Sequence, residues 1–173
     1  MTGAGKVPVV VDINVLIDAI EAEPDVASWT SPPPVRGNPA AMVLAILNEG
    51  LEFGIWFSKH IHDGTKRVLV QEFGWTDEEG DKYLSFLTAA AERTGGMVEP
   101  ALQVADCPDW EDNRILELAH ECGALIIVSS DAHLLAMSPW RGIPVMTPDA
   151  FVARVDAMRR NLRRFGRPDN RER

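Results

Sequence analysis

Val9-Val10-Val11-Asp12-Ile13-Asn14-Val15-Leu16-Ile17-Asp18 decides how the rest of the chain is read. Its three consecutive β-branched residues predict a parallel-type strand buried on both faces. The run then meets a carboxylate. In open parallel sheets ligands bind in the crevice beyond the carboxyl ends of the strands. Burying an unpaired carboxylate there costs several kcal/mol unless a partner or a cation compensates. Asp12 is therefore the first candidate functional residue.

A second stretch repeats the grammar. Leu125-Ile126-Ile127-Val128 is another buried parallel-type strand, and it closes on Ser129-Ser130-Asp131. Parallel strands put equivalent ends on one edge, so Asp12 and Asp131 are expected to face one crevice. Between them in sequence, Asp109-Trp110-Glu111-Asp112-Asn113 opens a predicted helix that leads into the second strand. Asp109 suits its N-cap, and acids in a first helical turn are favoured by about 0.3–1 kcal/mol each. Capping accounts for one or two of these acids, but not for strands that also end on Asp.

The remaining chain alternates strands and helices. Asn14 is expected to cap a first helix. Residues 22–38, with Pro32-Pro33-Pro34, read as a long loop. Asn38-Pro39 opens a helix that stops at Gly50, Phe53–Phe57 is a strand, and a helix follows Ser58. Thr76-Asp77-Glu78-Glu79 is a capping box. A short strand is expected at Met97-Val98, an edge strand around Pro144, and a last helix from Asp149. The expected fold is a three-layer α/β/α sandwich on a mainly parallel sheet, one domain over 1–158 followed by a basic tail over 159–173.

Composition sets the outer bounds. The 173 residues suffice for a real core, and two cysteines, Cys107 and Cys122, are too few for a disulfide framework. No segment reaches the roughly 18 apolar residues that span a bilayer, and the N-terminus lacks an apolar leader. A cytoplasmic protein with no membrane association is expected. The net charge is −9, yet residues 159–173 hold seven of the 17 basic side chains, so residues 1–158 carry −14.

Convergent carboxylates with no lysine or arginine among them repel one another. A hard divalent cation removes that repulsion, and oxygen ligands suit Mg²⁺ or Mn²⁺. Such a cation activates water and stabilises charge on phosphate oxygens, so phosphodiester hydrolysis is the reaction class this pattern serves best.

Four motifs in register resemble the PIN-domain family, and within it the VapC-like toxin ribonucleases of toxin–antitoxin modules. They are Val11-Asp12-Ile13-Asn14-Val15-Leu16, Asp109-x-x-Asp112-Asn113 with Leu116, Leu118 and Ala119, Gly123-Ala124, and Val128-Ser129-Ser130-Asp131 with Leu134-Leu135. The resemblance spans about residues 7–155. It implies a metal-dependent endoribonuclease in which Asp12, Asp112 and Asp131 are the catalytic, metal-binding acids. Asp109 would be a further metal-binding acid, with Asn14 a polar residue beside the site. It also implies a cognate antitoxin partner and a homodimer. Apart from the resemblance, Ser130 is a supporting candidate, since a hydroxyl ahead of Asp131 can bind a phosphate or a metal-bound water.

One position departs from the family. Its helix after the second strand carries a Glu where this chain has Gly64, with Asp63 one residue earlier. Asp63 is retained as a possible metal ligand, while Glu72 lies too far along the chain to match. The departure leaves a second reading open: a PIN-fold protein weakened or inactive in cleavage, acting through partner or RNA binding.

RNA contact requires basic side chains. The candidates are Lys59, Lys66 and Arg67 on the helix after the second strand, and Arg159, Arg160, Arg163 and Arg164 in the tail. His60 and His62 read as surface or groove residues, and His133 as an exposed one. Other phosphate chemistries fit less well. A haloacid-dehalogenase-type phosphatase wants an acid where Asn14 stands, a receiver domain wants a late lysine and none follows Lys82, and a dinucleotide fold wants a glycine fingerprint after the first strand.

Overall fold

Val9, Val10 and Val11 point alternately to opposite faces of their strand, and each is fully excluded from solvent. Ile126, Ile127 and Val128 are buried in the same way. Both strands are therefore covered on two sides, as their unbroken apolar runs require. The computed structural model describes residues 5–21 and 37–165. Most of the predicted loop 22–38, and residues 166–173 of the tail, lie outside the described residues.

In chain order the elements are β1 (Val7–Val11), α1 (Ile13–Glu21), α2 (Pro39–Glu49), β2 (Phe53–Phe57), α3 (Lys59–Gln71) and α4 (Asp77–Thr94). There follow β3 (Gly96–Met97), α5 (Trp110–Glu121), β4 (Ile126–Val128), α6 (Ala132–Ala136), β5 (Val145–Met146) and α7 (Pro148–Phe165). The strands form one sheet in the order β3-β2-β1-β4-β5, with every pairing parallel. Helices on both faces complete a three-layer α/β/α sandwich.

Local chemistry sets the helix starts. Asn38 Oδ1 accepts Ala41 N–H ahead of Pro39, and Gly50 ends α2 at a φ of 61°, where a glycine carries no Cβ penalty. Thr76 and Glu79 make the reciprocal capping box of α4. Tyr83, fully buried in α4, donates its hydroxyl to Leu16 O at 2.7 Å and so ties the helix layer to α1.

Two expectations need correction. Asn14 does not cap α1, because the carbonyl of Asp12 already accepts Val15 and Leu16 N–H, which puts Asn14 inside the first turn. Nor does the domain end at residue 158, since α7 runs unbroken to Phe165. Arg159 binds Glu52 through Nε at 3.0 Å and Nη2 at 2.8 Å, and reaches Glu49 at 2.9 Å. The first seven residues of the basic segment thus belong to a packed helix.

Candidate functional site

From β1 the chain proceeds outward to β2 on one side, while β4 pairs with β1 on the other. The strand order reverses there, and at such a switch point the loops leaving two neighbouring strands part and open a crevice. Asp12 follows β1 and Asp131 follows β4. Asp12 N–H donates to Val128 O at 2.9 Å, which holds the two strand ends in register. The crevice has a volume of about 310 Å³, and Asp12, Asn14, Asp112 and Asp131 all line it.

Each carboxylate has one oxygen anchored by a protein donor. Ser129 Oγ donates to Asp12 Oδ2 at 2.6 Å. Asp131 Oδ1 caps α6 by accepting the amides of His133 at 2.7 Å and Leu134 at 3.3 Å. Asp109 Oδ1 caps α5 through Glu111 N–H at 2.8 Å. Asp112 Oδ2 accepts the Cys107 thiol at 3.4 Å. Asn113, buried, accepts Cys107 N–H and donates to the carbonyls of Cys107 and Asp109, which shapes the turn that presents Asp109.

The electrostatics follow from burial. Only 7% of Asp12 is exposed, and desolvation is the main reason its carboxyl is pushed up to about 6. The Ser129 hydrogen bond opposes that shift, whereas the charges of Asp112 and Asp131 add to it. Asp112 is also raised, first by burial and then by Asp131 and Asp109. Among the described residues no lysine or arginine lines the crevice. Asn14 Oδ1 is buried there without a hydrogen-bond partner among the described residues. Oxygen donors, mutual repulsion and an orphaned amide oxygen together fit a hard divalent cation.

The acid expected from α3 is not where the sequence placed it. Asp63 is exposed, pairs with Lys59, lies 3.1 Å from His62 Nδ1, and does not line the crevice. One residue along a helix turns a side chain by about 100°. Gly64 has the inward position, where an added Cβ would stand 2.7 Å from Ile13 Cδ1. Val68 and Glu72 continue that stripe at four-residue steps, and both line the crevice. Glu72, set aside on sequence spacing, is the carboxylate that α3 brings to the crevice. The signal was its periodicity with Gly64.

The serine assignment also shifts by one residue. Ser129 is fully buried and binds Asp12, whereas Ser130 is exposed and does not line the crevice. His60 stacks edge-on against Trp110 with centroids 5.7 Å apart and does not line the crevice.

The basic candidates divide by position. α3 leaves the C-terminal end of β2, the sheet edge that carries the carboxylates. There Arg67 pairs with Glu111 at 2.9 Å, and Lys66 with Asp81 at 2.7 Å and Asp77 at 3.2 Å. Arg159 instead holds Glu52, whose carbonyl binds Val7 N–H at the start of β1. That is the opposite sheet edge, a strand length of roughly 17 Å away. Arg160, Arg163 and Arg164 are exposed on the α7 turns that follow. The tail residues described here therefore do not flank the crevice, and Arg159 is a structural ion pair.

No helix of the described residues is long and apolar enough to cross a membrane. The chain matches no protein-family model, and comparison with curated proteins returns no significant match.

Proposed function

We propose that the protein is a metal-dependent endoribonuclease that hydrolyses RNA phosphodiester bonds, and that it serves as the toxin of a toxin–antitoxin pair. The observation that carries this reading is the meeting of Asp12, Asp112 and Asp131 at the switch point of a parallel sheet, in a crevice lined by no lysine or arginine among the described residues. Asp12, Asp112 and Asp131 would hold Mg²⁺ or Mn²⁺, with Asp109 beside them. When bound, the cation supplies Lewis acidity and neutralises charge at a phosphate.

The protein's own groups do the rest. Ser129 and the helix caps fix the carboxylates before any ligand arrives, so little reorganisation is needed when charge develops. Asn14 offers an amide oxygen from the floor of the crevice. Lys59, Lys66 and Arg67 on α3, at the sheet edge that carries the acids, would exchange their ion pairs with Asp63, Asp77, Asp81 and Glu111 for contacts to RNA phosphates. The cognate antitoxin and the homodimer belong to this proposal through the resemblance described above.

Gly64 favours a second reading, a protein of the same fold that binds RNA or a partner without cutting. The experiment that separates the two joins a calorimetric titration of Mn²⁺ and Mg²⁺ to an RNA-cleavage assay. Binding with metal-dependent cutting supports the nuclease. Binding without cutting of any RNA supports the second reading, and absence of both binding and cutting contradicts the nuclease and leaves the second reading, which needs no cation.

A further inference from the structure

We propose that His133 supplies a nitrogen ligand to the metal centre, together with Asp109 and Asp112, so that the protein selects a first-row transition dication such as Mn²⁺ or Co²⁺ over Mg²⁺. The inference rests on the metal-centre reading above. It adds one donor and the class of cation.

Asp109, Asp112 and His133 each offer a ligand atom, and the three atoms lie within 4.8 Å of one another. Asp109 and Asp112 are one helical turn apart at the start of α5, the spacing that puts two side chains on one face. His133 comes two residues after Asp131, so the turn that delivers that acid also delivers the imidazole. Neither Asp109 nor His133 lines the crevice that holds Asp12, whereas Asp112 does. Asp112 is thus common to both groups, and through it a cation held by the trio would adjoin the crevice.

An ordinary ion pair does not describe His133 well. Its Nδ1 is 3.6 Å from Asp131 Oδ1 and 3.8 Å from Asp112 Oδ2, beyond hydrogen-bond range for both. Asp131 Oδ1 is already engaged by two backbone amides. Two ligand atoms on one cation, with bonds of about 2.0–2.2 Å, stand roughly 3.0–3.6 Å apart. Within the trio, the 3.8 Å from His133 Nδ1 to Asp112 Oδ2 stands a few tenths of an ångström above that spacing, a gap that a small side-chain rotation closes. Mg²⁺ prefers oxygen and retains its waters, while imidazole suits transition dications.

The test compares Mn²⁺, Co²⁺ and Mg²⁺ affinity by calorimetry in wild type, His133→Gln, Asp112→Asn and Asp12→Asn, and reads nitrogen modulation in the electron spin echo of bound Mn²⁺. His133 is exposed, so its variant keeps the fold. The expected result is a loss of roughly 10–100-fold in Mn²⁺ and Co²⁺ affinity for His133→Gln, little change for Mg²⁺, and disappearance of the nitrogen signal. If Asp112→Asn abolishes binding while His133→Gln changes neither affinity nor spectrum, the inference is overturned and the metal centre stands. If wild type binds none of the three cations, the metal-centre reading fails and takes the inference with it.

Discussion

Ser129 Oγ donates to Asp12 Oδ2 at 2.6 Å, and the same oxygen accepts Asp131 N–H at 2.9 Å. One buried hydroxyl therefore joins the end of β1 to the end of β4 across 117 residues of chain. It orients a buried carboxylate and shapes the turn that presents a second one.

Ser129→Ala leaves Asp12 without its side-chain donor and Asp131 N–H without its acceptor. Leaving buried polar groups unsatisfied costs about 1–3 kcal/mol, so urea unfolding of the metal-free protein at neutral pH should show that loss. Ser130→Ala, at an exposed position, should stay within about 0.5 kcal/mol of wild type. Equal effects from the two serines would contradict the assignment.

The raised Asp12 carboxyl makes stability depend on pH with a definite sign. Above the ordinary value of 3.8 the unfolded chain has released a proton that the folded chain keeps up to about 6. Metal-free stability therefore falls as pH rises through that window, by about 3 kcal/mol from this group, and stays lower above it. Asp112 shifts the same way. Asp12→Asn keeps an acceptor for Ser129 and removes the titration. Its stability relative to wild type, measured in chelator from pH 4 to 8, should rise across the window. A constant difference would show that Asp12 is not held by burial.

The α3 stripe predicts which carboxylate senses the cation. Glu72→Gln should weaken Mn²⁺ binding by about threefold or more, the expected size for removing one charge across a wet crevice. Asp63→Asn should leave it unchanged, since Asp63 faces outward onto Lys59. Calorimetric titration of both variants decides the matter, and the reverse pattern would return Asp63 to the centre.

Arg159 and Arg67 should separate stability from RNA contact. Arg159→Met breaks a half-buried, doubly bonded ion pair and should cost about 1–2 kcal/mol in urea unfolding while leaving RNA affinity unchanged. Arg67→Gln should instead weaken RNA binding and reduce the slope against salt by about one. Filter binding across ionic strengths reads both.

Much of this architecture was legible because it follows from local rules. Unbroken valine and isoleucine runs gave the buried parallel strands, and Asn38-Pro39, Thr76-Glu79 and Asp109 marked their helix starts through hydrogen bonds within a few residues. The paired strand endings at Asp12 and Asp131 located the crevice. What escaped depended on orientation. Whether Ser129 or Ser130 faces inward turns on one step of the backbone. Glu72 lines the crevice and Asp63 does not, because helical phase, not nearness in sequence to an expected position, decides which side chain reaches it. The place of the arginine-rich segment depended on α7 returning to the opposite sheet edge, which no short motif encodes.

The most direct measurement of the central claim is cleavage of a mixed pool of single-stranded and structured RNA by wild type and Asp12→Asn, each with Mn²⁺, Mg²⁺ or chelator. Analysis of the product ends would accompany it. The account predicts cutting that requires the cation, leaves the ends of direct phosphodiester hydrolysis, and is lost in Asp12→Asn although the variant stays folded. Cutting that persists in chelator or in Asp12→Asn would contradict it.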